Sequence, residues 1–212
     1  MSYRKPLQTI VGLSRAASPG PTPAFTAVHI SRAIIVIGDL GPIGRIELSR
    51  KLGLGEGAVR TIIKHLTARD FVGPAKEGCV LTPRGQALYR SLRSKFSEIR
   101  PLNARQLALD RENAAVLIRN TGVMVRRGIE QRDAAILAGA TGACTLIYRN
   151  GRLSMPKGER LESTIASHDL LFEDLRKLFA PKEGDVIIIV GAPNVGLAEH
   201  GAMAAALSVL DQ

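Results

Sequence analysis

The chain has 212 residues, of which 45% are hydrophobic and 4% aromatic, and its formal net charge is +10. This composition excludes a disordered chain and fits one large domain or two small ones with aliphatic cores. No apolar run approaches the ~18 residues of a membrane span. The two cysteines, Cys79 and Cys144, are far apart and belong to no metal-ligand cluster. We therefore expect a cytoplasmic protein with no cofactor, no metal and no membrane partner.

The charge is divided between the two halves of the chain. Residues 1–105 hold 17 Lys and Arg against 6 Asp and Glu, a formal balance of +11. Residues 106–212 hold 12 against 13, a balance of −1. Because attraction to phosphates is long-ranged and independent of base sequence, the basic half is predicted to bind nucleic acid. The near-neutral half then has a different role.

The first half shows a helical pattern behind a proline-rich leader. Prolines at residues 19–23 oppose regular structure, so residues 1–24 are predicted to form a flexible arm. A domain is predicted at residues 25–102, ending near Pro101. Its predicted elements are helices Ala27–Leu40, Arg45–Leu52 and Gly57–Arg69, strands Phe71-Val72 and Cys79–Leu81, and a fourth helix from Thr82 to about Ile99.

Two helices, a turn, a third helix and a two-stranded wing form the order of a winged helix-turn-helix. Gly44–Val72 reads GRIELSRKLGLGEGAVRTIIKHLTARDFV, and Gly78–Leu88 reads GCVLTPRGQAL. These stretches resemble winged-helix transcription regulators, which show a Leu-Ser-x-x-Leu-Gly-Leu helix, a Val-Arg-x-x-x-x-x-Leu helix and a Leu-Thr-x-x-Gly exit from the wing. The resemblance implies a helix that reads duplex DNA.

The helical period predicts which side chains face that DNA. An apolar stripe of Val59, Ile62, Ile63 and Leu66 is predicted to point to the core, which turns small residues and cations outward. The predicted DNA contacts are Arg60, Thr61 and Lys64 on the third helix, Arg45, Ser49 and Arg50 on the second, and Lys76 and Arg84 in and after the wing. The alternatives are a merely solvated helix face, or a winged helix that binds protein or RNA.

The second half alternates strands with helices. The predicted elements are strand Ala114–Ile118, helix Gly128–Gly139, strands Ala143–Tyr148 and Leu153–Met155 around an Asn150-Gly151 turn, helix Ile165–Phe179, strand Val186–Val190 and helix Leu197–Leu210. Continuous apolar strands indicate burial on both faces. Residues 103–212 are therefore predicted to form an α/β domain with a mixed sheet, and the whole chain is assigned to the α+β class.

Two phrases in this half are distinctive. They are GIEQRDAAILAGATGACTLIY at Gly128–Tyr148 and GRLSMP at Gly151–Pro156. With them, the chain resembles archaeal proteins that join a winged helix to a C-terminal domain of unknown function. The resemblance implies a two-domain protein and carries over no activity.

A charged pair marks a candidate ligand site in the second half. Arg132 and Asp133 lie near the helix face that Ile129 and Ile136 are predicted to turn inward. A charge on an inward face must be paired or must meet a ligand. The pair is therefore either a structural ion pair or a grip for an anionic group.

Two strand ends extend this candidate site. If strands Ala114–Ile118 and Val186–Val190 run parallel, Arg119 and Asn194 lie at one carboxyl edge, where open α/β sheets bind ligands. Glycines around Asn194 and the following helix start suit an anion, although a simple turn is the alternative. Arg119, Arg132, Asp133 and Asn194 form the predicted ligand-binding set.

These patterns together predict a DNA-binding transcription regulator rather than an enzyme. Its second domain would sense a small, anionic ligand or mediate dimerisation, and a homodimer joined through the fourth helix is expected. Catalytic signatures in the sequence are weak, and Asp133 with Glu130 is the only candidate acid/base pair. The rival interpretation is an enzyme of small anionic metabolites with an ancillary winged helix, and a third is a scaffold in transcription or RNA processing.

Overall fold

The computed structural model describes residues 9–10, 25–107, 109–157, 160–161 and 169–211. Its internal contacts separate two compact units, which divide between Arg93 and Ser94. The predicted arm, apart from residues 9–10, and the start of the helix predicted from Ile165 lie outside the described residues. No helix in the described ranges is long and apolar enough to cross a membrane.

The first unit opens with three helices, α1 (Ala27–Leu40), α2 (Arg45–Leu52) and α3 (Glu56–Ala68). Their apolar stripes meet in one core, as the helical spacing predicts. The fully or nearly fully buried members of that core include Ile30, Ala33, Ile34 and Ile37 of α1, Leu48 and Leu52 of α2, and Val59, Ile62 and Leu66 of α3. Gly53 ends α2 in the left-handed conformation, which turns the chain into α3.

A hairpin and a fourth helix complete this unit. Strand β1 (Val72–Ala75) pairs antiparallel with β2 (Gly78–Leu81), and α4 (Pro83–Lys95) follows. Ile43 exchanges two backbone hydrogen bonds of 3.1 Å with Cys79, which attaches the α1–α2 connection to the hairpin. Gly78 permits this approach: its φ is +139°, and a Cβ there would lie 2.1 Å from the carbonyl oxygen of Ile43.

The second unit is built on a five-stranded sheet. Its strands in chain order are β3 (Arg100–Pro101), β4 (Glu112–Ile118), β5 (Gly142–Arg149), β6 (Arg152–Ser154) and β9 (Val186–Ala192). They lie in the order β3-β4-β9-β5-β6, and every neighbouring pair is antiparallel. Strands β7 (Pro156–Lys157) and β8 (Arg160–Leu161) form a separate small hairpin.

Helices cover both faces of the central strands. Helices α5 (Ile129–Leu137) and α7 (Val195–Leu210) pack on one face and against each other, and α6 (Asp169–Phe179) covers the other. The α6 side includes the buried side chains Leu171, Phe172 and Leu175 from the helix and Ala115, Leu117, Leu146, Ile187 and Ile189 from the sheet. This double cover explains why β9 is apolar along its whole length.

The α+β class is confirmed, while two details of the second unit differ from expectation. The sheet is antiparallel rather than mixed, because β9 lies between β4 and β5 and runs against both. The predicted domain end near Leu102 falls inside this unit, because β3 already pairs with β4. A continuous apolar run predicts that a strand is buried on both faces, but it does not predict whether the strand runs parallel or antiparallel to its neighbours.

The inward face of α5 also differs from the prediction. Ile129 and Ile136 are 43% and 45% exposed, whereas Gln131 and Ala135 are fully buried. Helix α7 packs closely at Gly201, where a Cβ would lie 2.8 Å from the Cβ of Ala140, just beyond α5, and 3.0 Å from Val190 of β9. Gln131 and Ala135, rather than the isoleucines, therefore form the packed face of α5.

Candidate functional site

The exposed face of α3 is the first candidate site. Arg60, Thr61 and Lys64 are all exposed there, between the small residues Gly57 and Ala68, which are exposed too. The hydroxyl of Thr61 donates to the carbonyl oxygen of Gly57 at 3.1 Å, so its oxygen remains an acceptor. Among described residues, Arg60 and Lys64 have no ion-pair or hydrogen-bond partner. Their cationic groups are therefore available to an external anion.

The three predicted DNA contacts on α2 differ in the bonds that their side chains make within the protein. The Arg45 Nε donates to a carboxylate oxygen of Glu56 at 3.2 Å, which links the starts of α2 and α3. The Ser49 hydroxyl donates to the carbonyl oxygen of Leu54 and fixes the turn between the helices. Arg50 is exposed in the last turn of α2. Ser49 thus has a structural bond, whereas Arg50 remains accessible.

The hairpin and the start of α4 place the two remaining predicted contacts. Lys76 is exposed in the turn between β1 and β2. The Arg84 guanidinium lies over the Phe71 ring, 4.8 Å from its centroid, and the residue is exposed. This cation–π contact orients Arg84 while leaving its charge at the surface.

Three polar residues of the first unit make contacts that the sequence does not reveal. Arg32 is buried on α1, and its Nη2 donates to the Lys51 carbonyl oxygen near the end of α2 at 3.1 Å. The ring of His65 on α3 packs edge-to-face on Phe25. His29 accepts a hydrogen bond from the backbone N–H of Thr26, and burial, followed by repulsion from Arg32, lowers the pKa of His29 to about 4.

The second candidate site is a cavity of about 480 Å³ in the second unit. It lies beside β5, at the start of α5. Its lining comprises Leu107, Leu109, Arg127, Gly128, Ile129, Arg132, Ala143, Cys144, Thr145, Met155 and Pro156. The lining combines apolar side chains with the two arginines Arg127 and Arg132, a combination that small-molecule sites often show.

Arg132, predicted to lie near an inward face, is half exposed and lines this cavity. Its guanidinium forms an ion pair with Asp133, with Nε–Oδ1 and Nη2–Oδ1 distances of 3.2 and 3.1 Å. Arg127 was not singled out from the sequence, although it adjoins Gly128 at the predicted helix start. No side-chain partner of Arg127 appears among the described residues.

Arg119 and Asn194 do not join Arg132 and Asp133. Because β4 and β9 are antiparallel, Arg119 follows one end of the sheet and Asn194 the other, roughly 20 Å apart for strands of this length. The Asn194 side chain accepts from the Leu197 N–H at 2.9 Å and caps α7. The predicted four-residue set is therefore wrong as a single site, and Asn194 has the structural role of a helix cap.

Metal ligation has no support within the described ranges, where no group of three His, Cys, Asp or Glu side chains converges. Buried polar atoms offer a different signal. Thr145 is 5% exposed, and its hydroxyl oxygen has no hydrogen-bond partner among described residues. Because buried polar groups are nearly always bonded, this oxygen, on a residue that lines the cavity, is a feature that needs an explanation.

Comparisons with known proteins agree with the two-part architecture. Residues 33–87 match a family described as "PH0730-like, N-terminal domain", and residues 109–209 match "Domain of unknown function (DUF4443)". A solved structure described as hypothetical protein PH0730 from Pyrococcus horikoshii OT3 is 26% identical, with a TM-score of 0.67. The match covers 86% of this chain and 91% of that one. No curated protein matches the chain. The chain is thus similar over most of its length to an archaeal protein, and its organisation is consistent with a PH0730-like domain followed by a domain of unknown function.

Proposed function

We propose that the protein is a DNA-binding transcription regulator whose first unit is a winged helix-turn-helix. The observation that carries this proposal is the exposed face of α3, where Arg60, Thr61 and Lys64 are presented opposite a fully buried stripe. Small residues at Gly57 and Ala68 allow this helix to approach the floor of a major groove. Arginine and lysine then reach guanine edges or phosphates, and Thr61 accepts from a base.

The electrostatics around α3 favour the same function. Residues 25–93 hold 11 Lys and Arg against 5 Asp and Glu. Two of those acids are paired, Glu56 with Arg45 and Asp39 with Arg93. The acid nearest the start of α3 is therefore neutralised by its own unit, and repulsion of phosphates there is reduced.

Contacts to the DNA backbone are proposed for the residues that surround this helix. Arg50 and Lys76 are exposed point charges, and Arg84 is a charge oriented by Phe71. Such contacts set the register of the protein on the duplex and carry no base preference. Arg45 serves mainly to neutralise Glu56, and Ser49 to hold the turn.

We also propose that two copies bind two half-sites, as winged-helix regulators commonly do. The exposed side of α4, the interface expected from the sequence, carries Arg84, Gln86 and Arg90. This polar surface suits phosphate contacts better than an apolar dimer interface. The homodimer therefore remains a proposal without an assigned contact surface.

In the first test, fluorescence anisotropy measures the binding of the full-length protein to duplex genomic fragments at increasing salt concentrations. The logarithm of affinity should fall linearly with the logarithm of salt, by about 0.9 per phosphate contact. Absence of binding even at 50 mM salt, about the low end of such titrations, would refute the DNA-binding proposal.

Two substitutions then separate base reading from phosphate contact. Arg60→Ala should cost roughly 1–3 kcal/mol at the preferred site and relax the base preference. Lys76→Ala should weaken all sequences equally and flatten the salt slope by about 0.9. Arg152→Ala, which removes an exposed charge from the second unit, is the matched control and should change neither quantity. Equal, sequence-independent losses for Arg60→Ala and Lys76→Ala would contradict base reading by Arg60.

A further inference from the structure

We propose that the cavity beside β5 binds a small amphipathic acid, with one carboxylate or phosphate group and an apolar body. The anionic group would lie at the start of α5 between Arg127 and Arg132, and the apolar body against Leu107, Leu109 and Met155. This site lies wholly in the second unit and does not depend on DNA binding, so the two proposals can fail separately.

The cavity exists because one edge of β5 is left open. Strand β6 pairs with β5 only from Ile147 to Arg149, whereas β9 pairs along the opposite side from Gly142 to Ile147. Ala143, Cys144 and Thr145 therefore have no described strand partner on the cavity side. A volume of about 480 Å³ at this edge falls within the range of small-molecule sites.

The helix start supplies the anionic end of the site. Gly128 precedes α5 with φ +77°, and no side chain caps the helix. The first backbone N–H groups of a helix have no partner inside it and carry partial positive charge. Gly128 lies on the cavity wall, so these groups are adjacent to the space that a ligand would fill.

Two guanidinium groups and two carboxylates decide the local charge. Arg127 and Arg132 line the cavity, whereas Glu130 and Asp133 do not. Asp133 is held by Arg132 through a single oxygen, Oδ1, with the Nε and Nη2 donors. The remaining guanidinium donors, together with those of Arg127, match the oxygens of an acid.

The hydroxyl of Thr145 is a second, independent observation in favour of a ligand here. It is buried on the cavity wall and has no described hydrogen-bond partner. A Cβ placed on Gly128 would lie 3.1 Å from the Thr145 Cβ and 3.2 Å from this oxygen, so the Thr145 side chain lies against the glycine that precedes α5. A buried hydroxyl is costly unless it is bonded, and an acid oxygen at this point would bond it.

The apolar part of the lining favours a ligand with a hydrocarbon body over a bare inorganic ion. Leu107, Leu109, Met155 and Pro156 contribute no charge, and they surround a space far larger than phosphate or sulfate needs. Filling it removes apolar surface from water, which favours a ligand with a hydrocarbon part. Hexanoate and hexyl phosphate carry the two versions of the acid group, and hexanamide is the neutral counterpart.

Cys144 reports occupancy of this cavity in the unmodified protein. It lines the cavity, and burial raises the pKa of its thiol to about 11, so alkylation by iodoacetamide at neutral pH is slow but measurable. The other cysteine, Cys79, lies in the first unit and is an internal control in the same sample. Peptide mass spectrometry separates the two rates.

Saturating hexanoate or hexyl phosphate should slow labelling of Cys144 at least fivefold, and leave Cys79 unchanged. Hexanamide and inorganic phosphate should have no comparable effect. The acid that protects at the lower concentration identifies the head group. Equal protection by hexanamide, or no protection by either acid, would overturn the proposal.

Thr145→Val and Arg132→Gln test the residues themselves. Valine has the shape of threonine without the hydroxyl, so Thr145→Val should keep or raise the unfolding temperature while weakening protection at least fivefold. Arg132→Gln should weaken protection likewise, and the matched change Arg152→Gln, outside the cavity, should not. A lowered unfolding temperature for Thr145→Val with full protection would show a structural hydroxyl and refute its role in the site.

Discussion

The two units arrange their cationic groups in opposite ways. In the first, Arg60 and Lys64 lie on an exposed helix face with no described partner. In the second, Arg132 is tied to Asp133 at the rim of a cavity, beside the buried hydroxyl of Thr145. A long polyanion is met by many outward charges, whereas a small ligand is met by a few converging groups. The balances of +11 and −1 for the two halves are those that the two proposed targets, a polyanion and a small ligand, would favour.

The units also differ in how glycine is used. In the first, Gly78 brings the β1–β2 hairpin against Ile43 and so fixes the element that carries Lys76. In the second, Gly201 allows α7 to approach α5 and the sheet. Gly78 thus positions an exposed hairpin, whereas Gly201 permits close packing in the core. Damage to either should therefore stay within its own unit.

The largest effect is expected for Gly78→Ala. Its φ of +139° disfavours any side chain, and the new Cβ would lie 2.1 Å from the Ile43 carbonyl oxygen. Strain and overpacking together should lower the free energy of unfolding of the first unit by about 2–4 kcal/mol. Hydrogen exchange should show lost protection within residues 27–93, with weaker DNA binding as a consequence.

Gly73→Ala is the matched control in the same hairpin. A Cβ at Gly73 meets only the Thr82 methyl group at 3.7 Å, which is an ordinary contact. Its stability should change by less than about 0.5 kcal/mol. If both variants behave alike, or if Gly78→Ala also removes protection from the sheet of the second unit, the units are not independent in the way proposed.

The second unit offers a smaller effect at Asp185. This buried carboxylate accepts from the backbone N–H of Asn120 and of Lys182, both at 2.9 Å. Asp185→Asn replaces one acceptor by an NH₂ group that faces a backbone donor, which should destabilise this unit by roughly 1.5–3 kcal/mol. Urea unfolding measures this loss of stability, and hydrogen exchange of the Asn120 amide reports whether its bond to residue 185 is weakened.

Glu183→Gln is the control for that change. Glu183 is exposed and accepts from the Asn150 N–H, a bond that glutamine can keep. Stability should therefore be unchanged. DNA affinity should be unaffected by either substitution, and a parallel loss of DNA affinity in Asp185→Asn would break the separation of roles between the units.

Local signals made the first unit predictable from the sequence. The periodic apolar stripe on α3 predicts that Arg60 and Lys64 face outward, and they do. Caps and turns such as Thr82-Pro83 predict the element order within a few residues. Tertiary pairs were not predictable, because the Arg45–Glu56 ion pair joins residues eleven apart on two helices.

Prediction of the second unit was limited by long-range pairing. The sequence of β9 does not indicate that this strand lies between β4 and β5. That position makes the sheet antiparallel, and it places Arg119 and Asn194 at opposite ends of the sheet. Arg132 was predicted to be a ligand residue because Ile129 and Ile136 were expected to face inward, and that expectation was wrong. The cavity that Arg132 lines arises instead from the open edge of β5. Its Thr145 hydroxyl is recognisable only after folding, because burial makes it unusual.

The smallest effect is expected for Gly57→Ala, which tests the proposed DNA-facing surface of the first unit. This substitution should change stability and DNA affinity in opposite directions. Gly57 is exposed in the first turn of α3, and a Cβ there would meet nothing within 4 Å. Alanine is the better helix former, so the free energy of unfolding should rise by about 0.5–1 kcal/mol. The added methyl group would nevertheless stand on the face that carries Arg60 and Thr61, and it should hold the helix away from the groove. We therefore expect a higher melting temperature together with a lower DNA affinity, measured on the same preparation. A gain in both quantities would show that this end of α3 does not approach the bases closely, and would restrict base contacts to the part of the helix beyond Arg60.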